Sequence, residues 1–123
     1  MIRRGWPLGY TAKYIAENRA ALEAGIPRLL KYPTPPFAFQ RQLEATYTLK
    51  TFERLPQIKT PTLVITGAED VLIPAKNSEM LAAQIPGAKL HIIPGVGHAF
   101  ATEGRDAFLK VFVPFVKSHP MAR

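Results

Sequence analysis

The apolar positions of this chain fall into two textures that meet near residue 58. Before that point the pattern is helical but weak. Thr11 to Ala24 is rich in Ala and Glu, with a modest stripe of Tyr14, Ala21, Leu22 and Ala24. The segment runs into Gly25, so a helix with a glycine stop is predicted. Phe37 to Leu49 places Phe39, Leu43, Thr46 and Tyr47 at helical intervals and predicts a second helix. The proline-dense Lys31-Tyr32-Pro33-Thr34-Pro35-Pro36-Phe37 between them reads as an extended connector.

Past residue 58 the periodicity changes. Pro61-Thr62-Leu63-Val64-Ile65-Thr66-Gly67 is a β-branched run stopped by glycine, the composition of a strand buried on both faces. Pro74 can open a helix whose Leu81 and Ile85 share a face and which Pro86-Gly87 ends. Lys89-Leu90-His91-Ile92-Ile93 predicts another strand, leading into the tight turn Pro94-Gly95-Val96-Gly97. Arg105 to Lys117 carries the stripe Phe108, Val111, Phe112 and Phe115, with Pro114 expected to kink or shorten that helix.

Strand, helix, strand, helix is a βαβα order, and a helical crossover of this length implies parallel strands with a right-handed connection. The fold class expected is therefore α/β: two parallel strands with flanking helices, preceded by a helical segment. In open parallel sheets the chemistry gathers at the carboxyl ends of the strands. Asp70 follows the first of these ends and His98 follows the second.

Neighbouring parallel strands lie about 4.8 Å apart, so loops leaving their matching ends can bring two side chains together. A carboxylate accepting from imidazole Nδ1–H fixes the tautomer, leaves Nε2 free as a base and stabilises the imidazolium. Gly95 and Gly97 allow a sharp turn, with positive φ, that aims His98 back over the strand end. The alternatives are plain ones. An Asp after a strand and a glycine often only forms a turn or caps a helix, and a His in a glycine-rich loop is often just solvated. Their coincidence at matching ends of consecutive strands favours a functional pair.

The stretch Leu55-Pro56-Gln57-Ile58-Lys59-Thr60-Pro61-Thr62-Leu63-Val64-Ile65-Thr66-Gly67-Ala68-Glu69-Asp70-Val71-Leu72-Ile73-Pro74 resembles the seventh strand and acid loop of the α/β-hydrolase fold family. Ile85 to Leu90, followed by Pro94-Gly95-Val96-Gly97-His98, resembles its eighth strand and histidine loop. The likeness covers about residues 55–117, with G-x-x-D-x-x-x-P and G-x-G-H in family order. It implies that Asp70 is the acid and His98 the base of a Ser-Asp-His triad acting on carboxylic esters or related acyl bonds. It also implies that residues 1–54 are the end of a helical cap and 55–123 the C-terminal part of the hydrolase core. Trp6, Tyr10, Phe37, Phe39 and Tyr47 are candidates to line that cap, although structural packing is the better explanation of any one of them. The style of the sequence resembles esterase and enol-lactonase-like members.

The nucleophile of that family sits in a G-x-S-x-G elbow that precedes the acid and the histidine. The only serines are Ser78, on the helix after Asp70 and without flanking glycines, and Ser118 near the end. Asp106 follows His98 at a helix start and fails the family order as well. The nucleophile and the oxyanion-hole donors are therefore expected upstream of Met1, and this chain alone is expected to be inactive.

Length and composition narrow the rest. At 123 residues the chain has room for one domain and could bury roughly two-thirds of its unfolded surface. Hydrophobic residues at 47% and charged residues at 20% argue against wholesale disorder. Twelve prolines against eight glycines predict short elements with abrupt stops. The absence of cysteine excludes disulfides and thiolate chemistry. His91, His98 and His119 have no metal-ligand spacing, and Gly95-Val96-Gly97 lacks the rest of a dinucleotide loop, so neither metal nor cofactor is expected.

The net charge of +7 sits in the first half: residues 1–60 carry +6, dispersed with no run longer than two. A solvated basic face explains this better than nucleic-acid binding, which clusters such charge. No apolar run approaches the ~18 residues of a membrane span and no signal region follows the N-terminus, so a cytoplasmic location is the default. The partners expected are a small ester or acyl substrate in the complete enzyme, a separate N-terminal half, and further copies of the chain through open strand edges. The rival reading is a non-catalytic interaction module, or a vestigial fragment, with a basic partner-binding face.

Overall fold

A computed structural model describes residues 2–120. Met1 and Arg123, the outer limits of the two units inferred above, lie outside the described residues. The first part is helical: α1 (Ile2–Gly9), α2 (Ala12–Glu17), α3 (Arg19–Lys31) and α4 (Pro36–Thr48), then a 3₁₀ turn over Phe52–Gln57. The second part runs β1 (Leu63–Gly67), α5 (Ala75–Gln84), β2 (Lys89–Ile93), α6 (Phe100–Glu103) and α7 (Arg105–Ser118). The two strands pair in parallel, from Leu63 beside Lys89 to Gly67 beside Ile93, so their carboxyl ends are level. This is the α/β arrangement expected from the sequence.

Several local expectations fail, each for a physical reason. The predicted Thr11–Ala24 helix is two helices, because Asn18 turns out of helical geometry and its side chain donates back to the Tyr14 carbonyl at 3.0 Å. Gly25 does not stop α3. A glycine stop needs positive φ, and among the described residues only Gly87 and Gly95 have it. Nor does Pro114 shorten α7, which runs from Arg105 to Ser118, and α3 passes through Pro27 in the same way. Both helices bury no residue, so a carbonyl that loses its N–H partner keeps access to water.

The core is small: Trp6, Leu55, Ile85, Ile93 and Val96 are buried, and Ile93 alone among the described residues is sealed from solvent. Gly87 (φ 71°) closes the turn after α5, where Ala88 N–H donates to the Ile85 carbonyl at 3.1 Å. β1 is not buried on both faces as its composition suggests. Leu63 to Ile65 are half-buried, and only Thr66 and Gly67 are fully covered. The stripe on α7 does find the sheet: Phe108, Phe112 and Phe115 join Leu63, Ile65 and Phe100 around an open cleft of about 320 Å³. Phe108 stacks on Phe112 with ring centres 5.0 Å apart. No residue of α4 is buried. Among the described residues no helix is long and apolar enough to cross a membrane.

Candidate active site

Asp70 and His98 meet. His98 Nδ1 lies 2.9 Å from Asp70 Oδ2. The level strand ends bring the two loops alongside each other, and backbone bonds then lace them together. Ala68 N–H donates to the Ile93 carbonyl at 2.9 Å, and Glu69 N–H to the Val96 carbonyl at 3.0 Å. Gly67 makes this approach possible: a Cβ there would lie 2.3 Å from both the Val96 and Gly97 carbonyl oxygens. Gly95 supplies the positive φ of 71° that turns the chain after β2. Gly97 does not take positive φ. Its small size serves a close approach instead, since a Cβ there would meet the Gly9 carbonyl oxygen at 3.0 Å.

The two members sit in different surroundings. The Asp70 side chain is 4% exposed, whereas that of His98 is 41% exposed. Burial pushes the Asp70 carboxyl upward, but it is outweighed. Hydrogen bonds from Ile73 N–H and His98, the His98 charge and a further bond from Leu72 N–H hold the carboxyl below its ordinary value. Oδ1 accepts those two amides at 2.8 and 3.0 Å, leaving Oδ2 for the imidazole. An ionised carboxylate can only accept, so Nδ1 carries the proton and Nε2 presents its lone pair. Among the described residues, His98 hydrogen-bonds side chains through Nδ1 alone. The arrangement can take up a proton at Nε2 and hold the resulting cation.

The turn-forming role of Asp70 and its pairing with His98 are therefore both real, because the two oxygens divide the work. Neither serine stands in the pair. Ser78 is buried on α5, and Ser118 Oγ donates to the Phe115 carbonyl at 2.9 Å at the end of α7. Asp106 lies in the first turn of α7, His119 follows that helix, and His91 is half-buried in β2 opposite Ile65. Among the described residues no three His, Asp or Glu side chains converge on a possible metal position.

Of the apolar candidates in the first part, Trp6 is buried and Phe37, Phe39 and Tyr47 are exposed. Tyr10 stacks on Tyr14 with centres 5.0 Å apart. With Pro7, Thr11 and Ile15 it borders a cleft of about 340 Å³ whose other wall holds Glu69 and Val71, the neighbours of Asp70. The sequence reading missed the residues that brace the histidine loop from outside it: Gly9, Thr11 and Glu103. The one local signal was Thr11, a good N-cap type, which does cap α2 by accepting Tyr14 N–H. Nothing in sequence spacing ties residue 11 to residue 103.

Comparison with known proteins bears on the family and the fold. Residues 30–104 match the family model described as alpha/beta hydrolase fold. A RutD protein of Stutzerimonas stutzeri (strain A1501), named for carbamate hydrolysis, is 31% identical over 104 residues, 85% of this chain and 39% of its own length. A poly(3-hydroxyalkanoate) depolymerase of Ectopseudomonas oleovorans is 41% identical over 63 residues, 51% of this chain and 22% of its own. The enol-lactonase from Burkholderia xenovorans LB400 superposes with a TM-score of 0.79 at 28% identity, over 90% of this chain and 42% of that one. The chain spans 39–42% of the length of four RutD proteins that it matches. With a parallel strand pair flanked by helices and a family match over more than half its residues, the chain belongs to the alpha/beta hydrolase fold family.

Proposed function

We propose that this chain carries the acid and the base of a hydrolase acting on carboxylic esters or related acyl bonds. The observation that carries the reading is the 2.9 Å contact between His98 Nδ1 and a shielded, ionised Asp70 at level strand ends. In the whole enzyme a serine from the rest of the fold attacks the acyl carbon. His98 Nε2 takes the serine proton and then passes it to the leaving oxygen, while Asp70 fixes the tautomer and stabilises the imidazolium. Water repeats the sequence on the acyl-enzyme and frees the acid. Residues 1–54 act as the end of a cap, and the Tyr10 cleft beside Glu69 and Val71 receives the part of the substrate remote from the reacting bond. The serine-bearing part of the fold is a partner in this reading, and the half-covered β1 is the strand it would meet.

The test is a chimera in which the N-terminal part of the Burkholderia enol-lactonase is joined to this chain at an aligned position. It is expected to hydrolyse p-nitrophenyl acetate, with turnover falling about 10⁴-fold in His98→Ala. Turnover that survives both His98→Ala and Asp70→Ala in a folded chimera refutes the assignment. This chain alone is expected to show no turnover above buffer, and alone-activity abolished by His98→Ala would overturn that expectation.

A further inference from the structure

A second carboxylate stands at the histidine loop and takes no part in the proton transfer. Glu103 ends α6, and its Oε2 accepts the N–H of Gly97, the residue before His98, at 2.9 Å. Its Oε1 accepts the hydroxyl proton of Thr11, and both oxygens lie 3.3 Å from the Thr11 backbone N–H. On the other side of His98, Ala99 N–H donates to the Gly9 carbonyl at 2.7 Å. The residues on either side of His98 are thus tied to the junction between α1 and α2, Ala99 directly and Gly97 through Glu103.

The chemistry of the site asks for a carboxylate. Donors approach from two sides, and an ionised carboxyl has two oxygens that only accept. A glutamine would turn an NH₂ group toward one set of N–H donors. Among the described residues no cation pairs with Glu103, so these donors alone offset its partial burial. On the side where a Cβ would stand, Gly97 has little room: that position lies 3.0 Å from the Gly9 carbonyl oxygen and 3.4 Å from Glu103 Oε2 and the Tyr10 carbonyl carbon. We propose that Glu103 is a positioning residue: it fixes the turn that delivers His98 Nδ1 to Asp70 and couples that turn to the seating of α1 and α2 through Thr11. The proposal rests on the reading of Asp70 and His98 as the acid–base pair.

The test uses the full chain, ¹⁵N-labelled, with long-range ¹H–¹⁵N correlation of the His98 ring and hydrogen exchange of the backbone amides. Wild type is expected to show the Nδ1–H tautomer. Glu103→Gln and Glu103→Ala are expected to shift the tautomer ratio about tenfold or more toward Nε2–H. They should also remove protection at Gly97 while β1 and β2 amides keep theirs. Thr11→Val should shift the ratio the same way by less, because the Gly97 bond to Glu103 remains. Glu23→Gln, at the exposed pair with Arg3, should leave it unmoved.

A ratio within about twofold of wild type in Glu103→Gln, with the strand amides still protected, overturns the proposal. Should Glu103→Ala unfold the chain, Glu103→Gln and Thr11→Val decide: an unmoved ratio in both overturns it. Asp70→Ala separates the two claims. If it shifts the ratio and the Glu103 variants do not, only the positioning role fails. If Asp70→Ala also leaves the ratio unchanged, the acid–base pair itself is refuted.

Discussion

Replacing Gly67 with alanine tests whether the approach of the two loops is as tight as the structure requires. The added methyl would sit 2.3 Å from the Val96 and Gly97 carbonyl oxygens and 2.9 Å from the Val96 carbonyl carbon. These are backbone atoms, so no side-chain rotation relieves the clash. To restore ordinary van der Waals distance the histidine loop must retreat by about 1 Å. That retreat stretches the Glu69 N–H bond to the Val96 carbonyl, now 3.0 Å, beyond useful length. The overpacking costs about 1–3 kcal/mol and the lost bond about 1 kcal/mol. A total of about 2–4 kcal/mol is a large share of a stability of about 5–15 kcal/mol. At about 4 °C per kcal/mol, Tm should fall by about 8–16 °C. Gly25→Ala is the opposing control. Gly25 lies inside α3 with nothing within 4 Å of its would-be Cβ, so alanine should gain about 0.5–1 kcal/mol and raise Tm by about 2–4 °C. Thermal unfolding followed by circular dichroism at one fixed protein concentration reads both. A Gly67→Ala protein melting within about 2 °C of wild type would refute the close approach.

Two further outcomes follow from the divided oxygens of Asp70. Asp70→Ala leaves the Leu72 and Ile73 amides without their acceptor and should cost about 1–3 kcal/mol in urea unfolding. Asp70→Asn keeps one oxygen for both amides and should cost less; equal losses would mean the turn bonds contribute nothing. The second outcome concerns pH. The folded Asp70 carboxyl is held below its ordinary value, so the native state gives up that proton more readily than the unfolded chain. Its contribution to stability is therefore fully present above about pH 5. It is lost as pH falls through the unfolded value of about 3.9 and then the lower folded one. Urea midpoints measured from about pH 6 down to about pH 2 should show a shallower acid limb in Asp70→Asn. An unchanged limb would contradict the hydrogen-bonded, ionised Asp70.

What could be read from the sequence was what local chemistry determines. The β-branched run Pro61–Gly67 and the short Lys89–Ile93 stretch set both strands to within two residues, and Pro86-Gly87 ended α5 as expected. Asp70 and His98 were legible because strand ends, turn residues and chemically apt side chains coincided in one short stretch of chain. The helical first part was less legible. Gly25 and Pro27 are stop signals only where the backbone finds a better place to turn, and α3 continues through both. The Ile2–Gly9 helix went unread because Gly5 and Pro7 weaken every local signal for it. Glu103 was invisible for a different reason. Its partners are Thr11 and Gly97, and a bond across 92 residues leaves no periodicity to detect.

The arrangement of these contacts explains why two strands are enough to hold the pair. A parallel ladder with level ends sets the coarse separation of the loops, and the glycine at position 67 removes the side chain that would hold them apart. Two inter-loop backbone bonds then fix their relative height. What remains free is the rotation of the histidine turn, and that is the degree of freedom that Gly9 and Glu103 constrain from the helical side. Each constraint removes conformations before any substrate or nucleophile is present. Under the proposed acid–base role, the imidazole therefore needs little further ordering when a reacting hydroxyl comes within reach, which is the condition for a fast proton transfer. In the proposed reading, a cap segment that shares its seat with the histidine loop gives substrate contacts on one side a mechanical route to the alignment of the base on the other.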